Sequence, residues 1–179
     1  MEKTVKELVA QFVESARAVE ATVETIQGNA EELDASLLRA TAGDESVLFA
    51  QPDYLSPQLF AQFLRCERVI TNPTKEQLAF TATGVTDAFC AIASTGSVCV
   101  SVSQNLSSPT SFLTRKHIAV VDARTIVPSP RDVFDENGIP GKGLKRSFSF
   151  ITGPSATADM GPLVIGVHGP GELHIIVLE

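Results

Sequence analysis

Apolar residues recur at helical spacing through the opening stretch: Val5, Leu8, Val9, Phe12, Val13, Ala16, Val19, Val23 and Ile26. Thr4 with Glu7 fits a capping box, and Gly28 is placed to end the element. The pattern predicts one long helix whose polar face carries Lys6, Glu7, Glu14, Arg17, Glu20 and Glu24. Its apolar stripe must pack on the domain's own sheet or on a partner. A second helix is predicted over about 31–39, with Asn29 or Ala30 near its start.

The pattern then changes to short apolar runs. Strands are predicted over 46–50 and 68–71, and over 89–93 and 97–102 with a tight Thr95-Gly96 connection. Further strands are predicted at 118–121, 125–127, 148–152 and 174–178. Between them, Ser56-Pro57, Thr74 with Gln77, and Ser129-Pro130 mark helix starts. The stretch 104–111 is polar and turn-like, and 135–146 is a loop holding Asn137-Gly138, Pro140, Gly141 and Gly143. Helix starts alternating with short strands predict a layered α/β domain, α/β/α, on a mainly parallel or mixed sheet. The whole chain, 1–179, is expected to form one domain: a helical segment over about 1–42, then a core over about 46–179.

Composition narrows the function classes. A net charge of -7 removes the positive field that a polyphosphate backbone requires, so nucleic-acid binding is not expected. No apolar run approaches the roughly 20 residues of a membrane span, and the charged start Met1-Glu2-Lys3 lacks a signal-peptide pattern. No membrane insertion and a cytoplasmic location are therefore expected. Cys66, Cys90 and Cys99 show no C-x-x-C spacing and read as buried reduced thiols; three cannot ligate an iron–sulfur cluster that needs four. No cofactor and no metal site are predicted.

Four places could carry chemistry. Gly153-Pro154-Ser155-Ala156-Thr157-Ala158-Asp159 follows an apolar strand at its carboxyl end, where α/β sheets bind ligands. Gly153 and Pro154 set a turn, Ser155 and Thr157 offer hydroxyls, and the following N–H groups can converge on an anion. Asp159 could orient a hydroxyl or act as a base, and the plainer reading is a capped strand-to-helix turn. Gly166-Val167-His168-Gly169-Pro170-Gly171 holds one orientable histidine on a turn, as proton transfer requires; the plainer reading is a simple hairpin turn. His174 reads as a strand residue. Gly84, Thr86, Thr95 and Gly96 supply small residues and hydroxyls at strand ends. Arg115-Lys116-His117 with Lys142, Lys145 and Arg146 could meet an anion or be solvated surface. A P-loop and a nucleophile elbow are absent from the sequence.

From Gly84 onward these pieces resemble the LUD-domain family, typified by lactate utilization protein C. They stand in the family's order: Gly84-Val85-Thr86, then 91–97, then His117-Ile118-Ala119-Val120-Val121, then 151–159 and 166–170. The sequence departs from the family at Ser94, Ala156 and Met160-Gly161, where the family carries charged residues at some of these positions. The resemblance implies a fold similar to the sugar-phosphate isomerase, CoA-transferase and formyltetrahydrofolate cyclo-ligase superfamily. It also implies an accessory, non-redox role in oxidising L-lactate to pyruvate beside iron–sulfur partner proteins. Whether the chain is itself an enzyme stays open. The residues allow a small anionic ligand, carboxylate or phosphate, held by Gly84, Thr86, Thr95, Gly96, Gly153, Pro154, Ser155, Thr157, Gly166 and Gly169. Asp159 and His168 would then be the proton-transfer candidates. A stand-alone isomerase- or cyclo-ligase-like enzyme and a non-catalytic ligand-binding regulator are the alternatives, and a homo-oligomer is allowed.

Overall fold

The structure, a computed structural model, describes residues 3–102, 106–135, 147–158 and 161–179. Helix α1, Val5–Ala18, starts on the Thr4–Glu7 capping box and buries Leu8, Val9, Phe12 and Ala16. It stops eight residues before Ile26, the last apolar residue of the helical pattern. Glu20 takes a left-handed backbone, φ 65°, and Thr22–Ile26 is a strand, β1. Four of these five residues are β-branched, and β1 pairs in parallel with the chain's last strand, which outweighs the helical spacing of Val19, Val23 and Ile26. The opening segment is thus helix, strand, helix. Asn29 caps α2, Ala30–Ala40, by accepting from the Glu32 N–H at 2.9 Å.

Strands β2, Val47–Phe49, and β3, Val69–Ile70, fall where the apolar runs predict them. The Ser56-Pro57 start yields a 3₁₀ turn, Pro57–Phe60, followed by another, Phe63–Arg65. Thr74 and Gln77 form a capping box that opens α3, Lys75–Phe80. Gly84 and Thr86 lie inside a strand, β4, Thr83–Asp87, rather than at a strand end. Next come β5, Cys90–Ile92, and β6, Ser97–Ser101, joined by the Thr95-Gly96 turn. Of the polar 104–111 stretch, 104 and 105 lie outside the described residues, while Ser107–Phe112 is a helix, α4, not a turn. Pro109 is accommodated because it stands in the first turn, where its missing N–H leaves no helical bond unmade. Strand β7 runs Lys116–Asp122 and β8 Ile126–Val127; Ser129-Pro130 begins a 3₁₀ turn, Pro130–Phe134. The expected 135–146 loop lies outside the described residues from 136 on. Strand β9 is Phe148–Ile151, β10 Ala156–Thr157, β11 Val164–Ile165 and β12 Glu172–Leu178.

A six-stranded sheet, β1-β12-β7-β4-β2-β3, is parallel throughout. One face presents Val85, Ile118, Val120, Ile176 and Leu178 to α2 and the aromatic 3₁₀ turns, where Leu33, Leu37, Phe60 and Phe63 close the core. The other face presents Ala119, Val121, Leu173, Ile175 and Val177 to α1 and to a second sheet. That four-stranded sheet, β8-β5-β6-β9, is mixed: β5–β6 and β6–β9 are antiparallel, β5–β8 parallel. The layered α/β architecture is therefore as the sequence predicts, with the refinement that one covering layer is a helix plus a sheet. Cys90 and Cys99 are buried, but Cys66 is only half-buried, against the expectation that all three thiols are interior.

Candidate functional site

The two turn-rich segments near the carboxyl terminus fold onto each other. β10 and β11 pair antiparallel, Ala156 opposite Ile165 and Thr157 opposite Val164. Beyond the pair, the Ser155 N–H donates to the Pro170 carbonyl at 2.7 Å and the Gly166 N–H to the Ser155 carbonyl at 2.8 Å. Gly166 permits the return with φ 77°. The hairpin is anchored from below at Gly153. Its backbone is left-handed, φ 63°, and a side chain there would collide with the carbonyl oxygen of Val19 at the end of α1.

Between this hairpin, β9 and the end of α4 lies a cleft of about 430 Å³. Of the candidate residues, Gly153, Pro154, Ser155, His168 and Gly169 line it. Ser111 and Phe112 of α4, Phe150 of β9, and His117 and Leu173 complete most of the wall. His117 and Leu173 are the second residues of β7 and β12 and stand in register, so the cleft opens at the amino ends of the parallel strands. Gly153 does follow a strand's carboxyl end, but that strand, β9, belongs to the mixed sheet.

The other candidates take different places. Thr157 and Gly166 shape the hairpin itself. Gly84 is a packing residue: a Cβ there would run into the Thr110 carbonyl and lie 2.7 Å from Thr110 Cγ2, so its absence lets α4 sit on the sheet. Gly96, φ 66°, meets the backbone of Ser15 and Ala16 in the same way and seats the β5–β6 turn on α1. Thr95 Oγ1 lies 2.7 Å from Ser97 Oγ, which lies 2.7 Å from Thr152 Oγ1; only Thr152 of the three faces the cleft. Asp159 lies outside the described residues, as do Lys142, Lys145 and Arg146. Lys116 is committed elsewhere, to Asp44 at 3.1 Å and the Ala40 carbonyl at 2.8 Å. His174 faces Thr22 Oγ1 at 2.7 Å across the β1–β12 pair, and burial pushes its pKa down despite Glu24 nearby.

His117, grouped from the sequence with Arg115 and Lys116 in a basic set that could meet an anion or be solvated surface, is not at the surface. The residue is fully buried. Its Nε2 meets Thr86 Oγ1 at 2.9 Å, and burial lowers its pKa to about 4, so the ring is neutral at pH 7. Thr86, a candidate ligand contact, acts instead on this histidine. The signal available in the sequence was weak: a histidine two residues after Arg115 and one before an apolar run.

At the opposite, carboxyl end of the sheet, Asp87 ends β4. Burial raises its carboxyl, while N–H groups of Leu55, Tyr54 and Asp53 hold it down. The Tyr54 and Leu55 N–H groups donate to Oδ2 at 2.7 and 3.0 Å, so this carboxylate serves to fasten the 53–55 turn.

Parallel sheet, covering sheet and hairpin-roofed cleft define a layered α/β protein with a recessed, mostly uncharged cleft at the amino ends of its parallel strands. The LUD domain model matches residues 3–178, and the chain belongs to the LUD-domain family. It is 34% identical over 100 residues to lactate utilization protein C of Bacillus subtilis, covering 54% of this chain and 42% of that protein. The protein of the same name from Halalkalibacterium halodurans is also 34% identical over 100 residues, covering 54% of this chain and 44% of that one. The chain thus spans less than half the length of these curated relatives. Its fold matches the crystal structure of a DUF162 family protein from Deinococcus radiodurans with a TM-score of 0.75 at 20% identity, over 99% of this chain and 100% of that one. Among the described residues, no helix is long and apolar enough to cross a membrane.

Proposed function

We propose that this chain acts in lactate utilization as a non-redox component that binds a small anionic 2-hydroxy or 2-oxo acid and docks with iron–sulfur partner proteins. The observation that carries the ligand part is the cleft itself. Gly153-Pro154-Ser155 and His168-Gly169 stand side by side in the hairpin that lines one cavity, where hydroxyl and imidazole groups can meet a carboxylate. Support for the lactate part is the family membership and the names of the relatives. The division of labour agrees with the cysteines: Cys66, Cys90 and Cys99 are too few to ligate a four-thiolate cluster within the chain.

Titration of the purified chain with L-lactate and pyruvate, followed by thermal shift and calorimetry, tests the ligand. At about 100 times the dissociation constant a ligand adds about 2.7 kcal/mol of stability, which thermal shift detects readily. Affinity capture from lactate-grown cells tests the partners, with cysteine-rich iron–sulfur proteins expected to co-purify. No stabilisation by either acid, together with no such protein captured, sinks the reading.

A further inference from the structure

His117 is buried on every side, yet only half of its hydrogen-bonding capacity is used. Nε2 has Thr86 Oγ1 at 2.9 Å, while Nδ1 is sealed from water and has no partner. The Thr86 hydroxyl is itself buried and has no second partner among the described residues. These facts decide where the proton sits. If Nε2 carried it, the Thr86 hydroxyl would be left with an unused donor and Nδ1 with an unused lone pair. If the hydroxyl donates to Nε2, one group alone is unmet, the Nδ1–H. Polar groups shut away from water are matched wherever a match exists, so the second arrangement wins. It leaves a neutral imidazole in the cleft wall holding out one hydrogen-bond donor.

We propose that Nδ1–H of His117 donates to a carboxylate oxygen of a small acid bound in the cleft. The inference rests on the ligand-binding reading above and adds the residue and the ligand class. A donor asks for an acceptor, which a carboxylate supplies. Among the described residues the wall has no lysine or arginine. A singly charged carboxylate costs less to desolvate against such a wall than a phosphate dianion does. His117 is among the residues that line the cleft, and its Nδ1 is the buried, unpartnered atom of that ring. Thr86 is then a positioning residue: it sets the tautomer and touches no ligand.

The test uses the intact chain labelled with ¹⁵N at histidine, and pyruvate as the probe. Long-range proton–nitrogen spectra should show Nδ1 protonated and Nε2 bare in the free chain, and pyruvate should shift the Nδ1 signal. His117→Leu should weaken pyruvate binding about tenfold or more, while His117→Asn, which keeps an N–H donor near the same place, should retain most of it. If His117→Leu does not fold, the spectra decide. A proton on Nε2, or pyruvate binding by calorimetry with His117 unmoved, overturns the inference and leaves the ligand-binding reading standing. So does inorganic phosphate binding more tightly than pyruvate. No binding of pyruvate or L-lactate at all overturns both.

Discussion

Gly153 rests its bare Cα against the carbonyl oxygen of Val19, with no room between them for a side chain. This contact joins the cleft-forming hairpin to the end of α1, two elements far apart in sequence. It gives the Gly153-Pro154 turn a structural cause that does not depend on any ligand.

Gly153→Ala should therefore destabilise the chain whether or not ligand is present. The left-handed φ of 63° costs an alanine roughly 1 kcal/mol, and the collision with Val19 adds more. A loss of about 2 kcal/mol or more corresponds to a drop of about 4–8 °C in Tm for a domain of this size. Gly43 is the control. It has φ 86° but nothing within 4 Å of a built Cβ, so Gly43→Ala should cost the backbone part alone. Equal losses in the two variants, read by thermal melting, would refute the packing role.

His117 makes stability depend on pH. Its folded pKa is lowered from 6.5 to about 4 by burial, so the unfolded chain takes up the proton first as pH falls. The contribution is intact above about pH 6.5, declines between pH 6.5 and 4, and is fully lost below 4. The size is about 3 kcal/mol, from 1.36 kcal/mol per unit. Asp87, raised by burial, has the opposite sign: it favours the folded state as pH falls. The effect of His117 is therefore isolated by comparison with His117→Asn. The urea midpoint of the wild type should fall relative to that of the variant as pH is lowered from 7 to 4, with the variant's profile the flatter. Parallel profiles would mean that the histidine is not held neutral.

Much of this fold is legible in the sequence because its signals are local. The Asn29 cap, the Thr74–Gln77 box and the apolar run at 118–121 need no knowledge of neighbours, and each element stands where it is predicted. β1 misleads because Val19, Val23 and Ile26 keep helical spacing by chance, while the strand is chosen by pairing with residues 174–178, about 150 positions away. The same limit governs the site. The pairing of the 153–157 and 166–171 segments can be guessed from their turn chemistry. The recruitment of His117 cannot, since it depends on α4 closing over Gly84 beside it. Likewise Gly84 and Gly96 look like ligand glycines until their backbone neighbours are known.

Thiol accessibility should divide the cysteines. Cys66 is half-buried beside the second 3₁₀ turn, whereas Cys90 and Cys99 face each other in the β5–β6 register at 3% and 0% exposure. A thiol reagent under native conditions should modify Cys66 first, with Cys90 and Cys99 reacting only as fast as the mixed sheet opens. Mass spectrometry of the time course reads this directly. Prompt modification of either β-strand cysteine would show that the covering sheet is not closed.

The hydroxyls of Thr95, Ser97 and Thr152 separate support from contact at the cleft. Ser97 is 3% exposed and bridges the other two, 2.7 Å from each. Ser97→Ala removes both bonds at once, and the partly exposed threonines can turn to water, so the loss should be about 1 kcal/mol rather than the larger penalty of a stranded buried donor. Thr95 stands behind Ser97, away from the cleft, so Thr95→Val should leave pyruvate affinity unchanged. Thr152 lines the cleft, so Thr152→Val should lower that affinity. Ser97→Ala, by releasing the Thr152 hydroxyl, should produce part of the same loss. In a double-mutant cycle Ser97→Ala and Thr152→Val should couple by about 0.5–1 kcal/mol in stability. An affinity that responds to Thr95→Val but not to Thr152→Val would place the ligand on the other side of this hydroxyl chain.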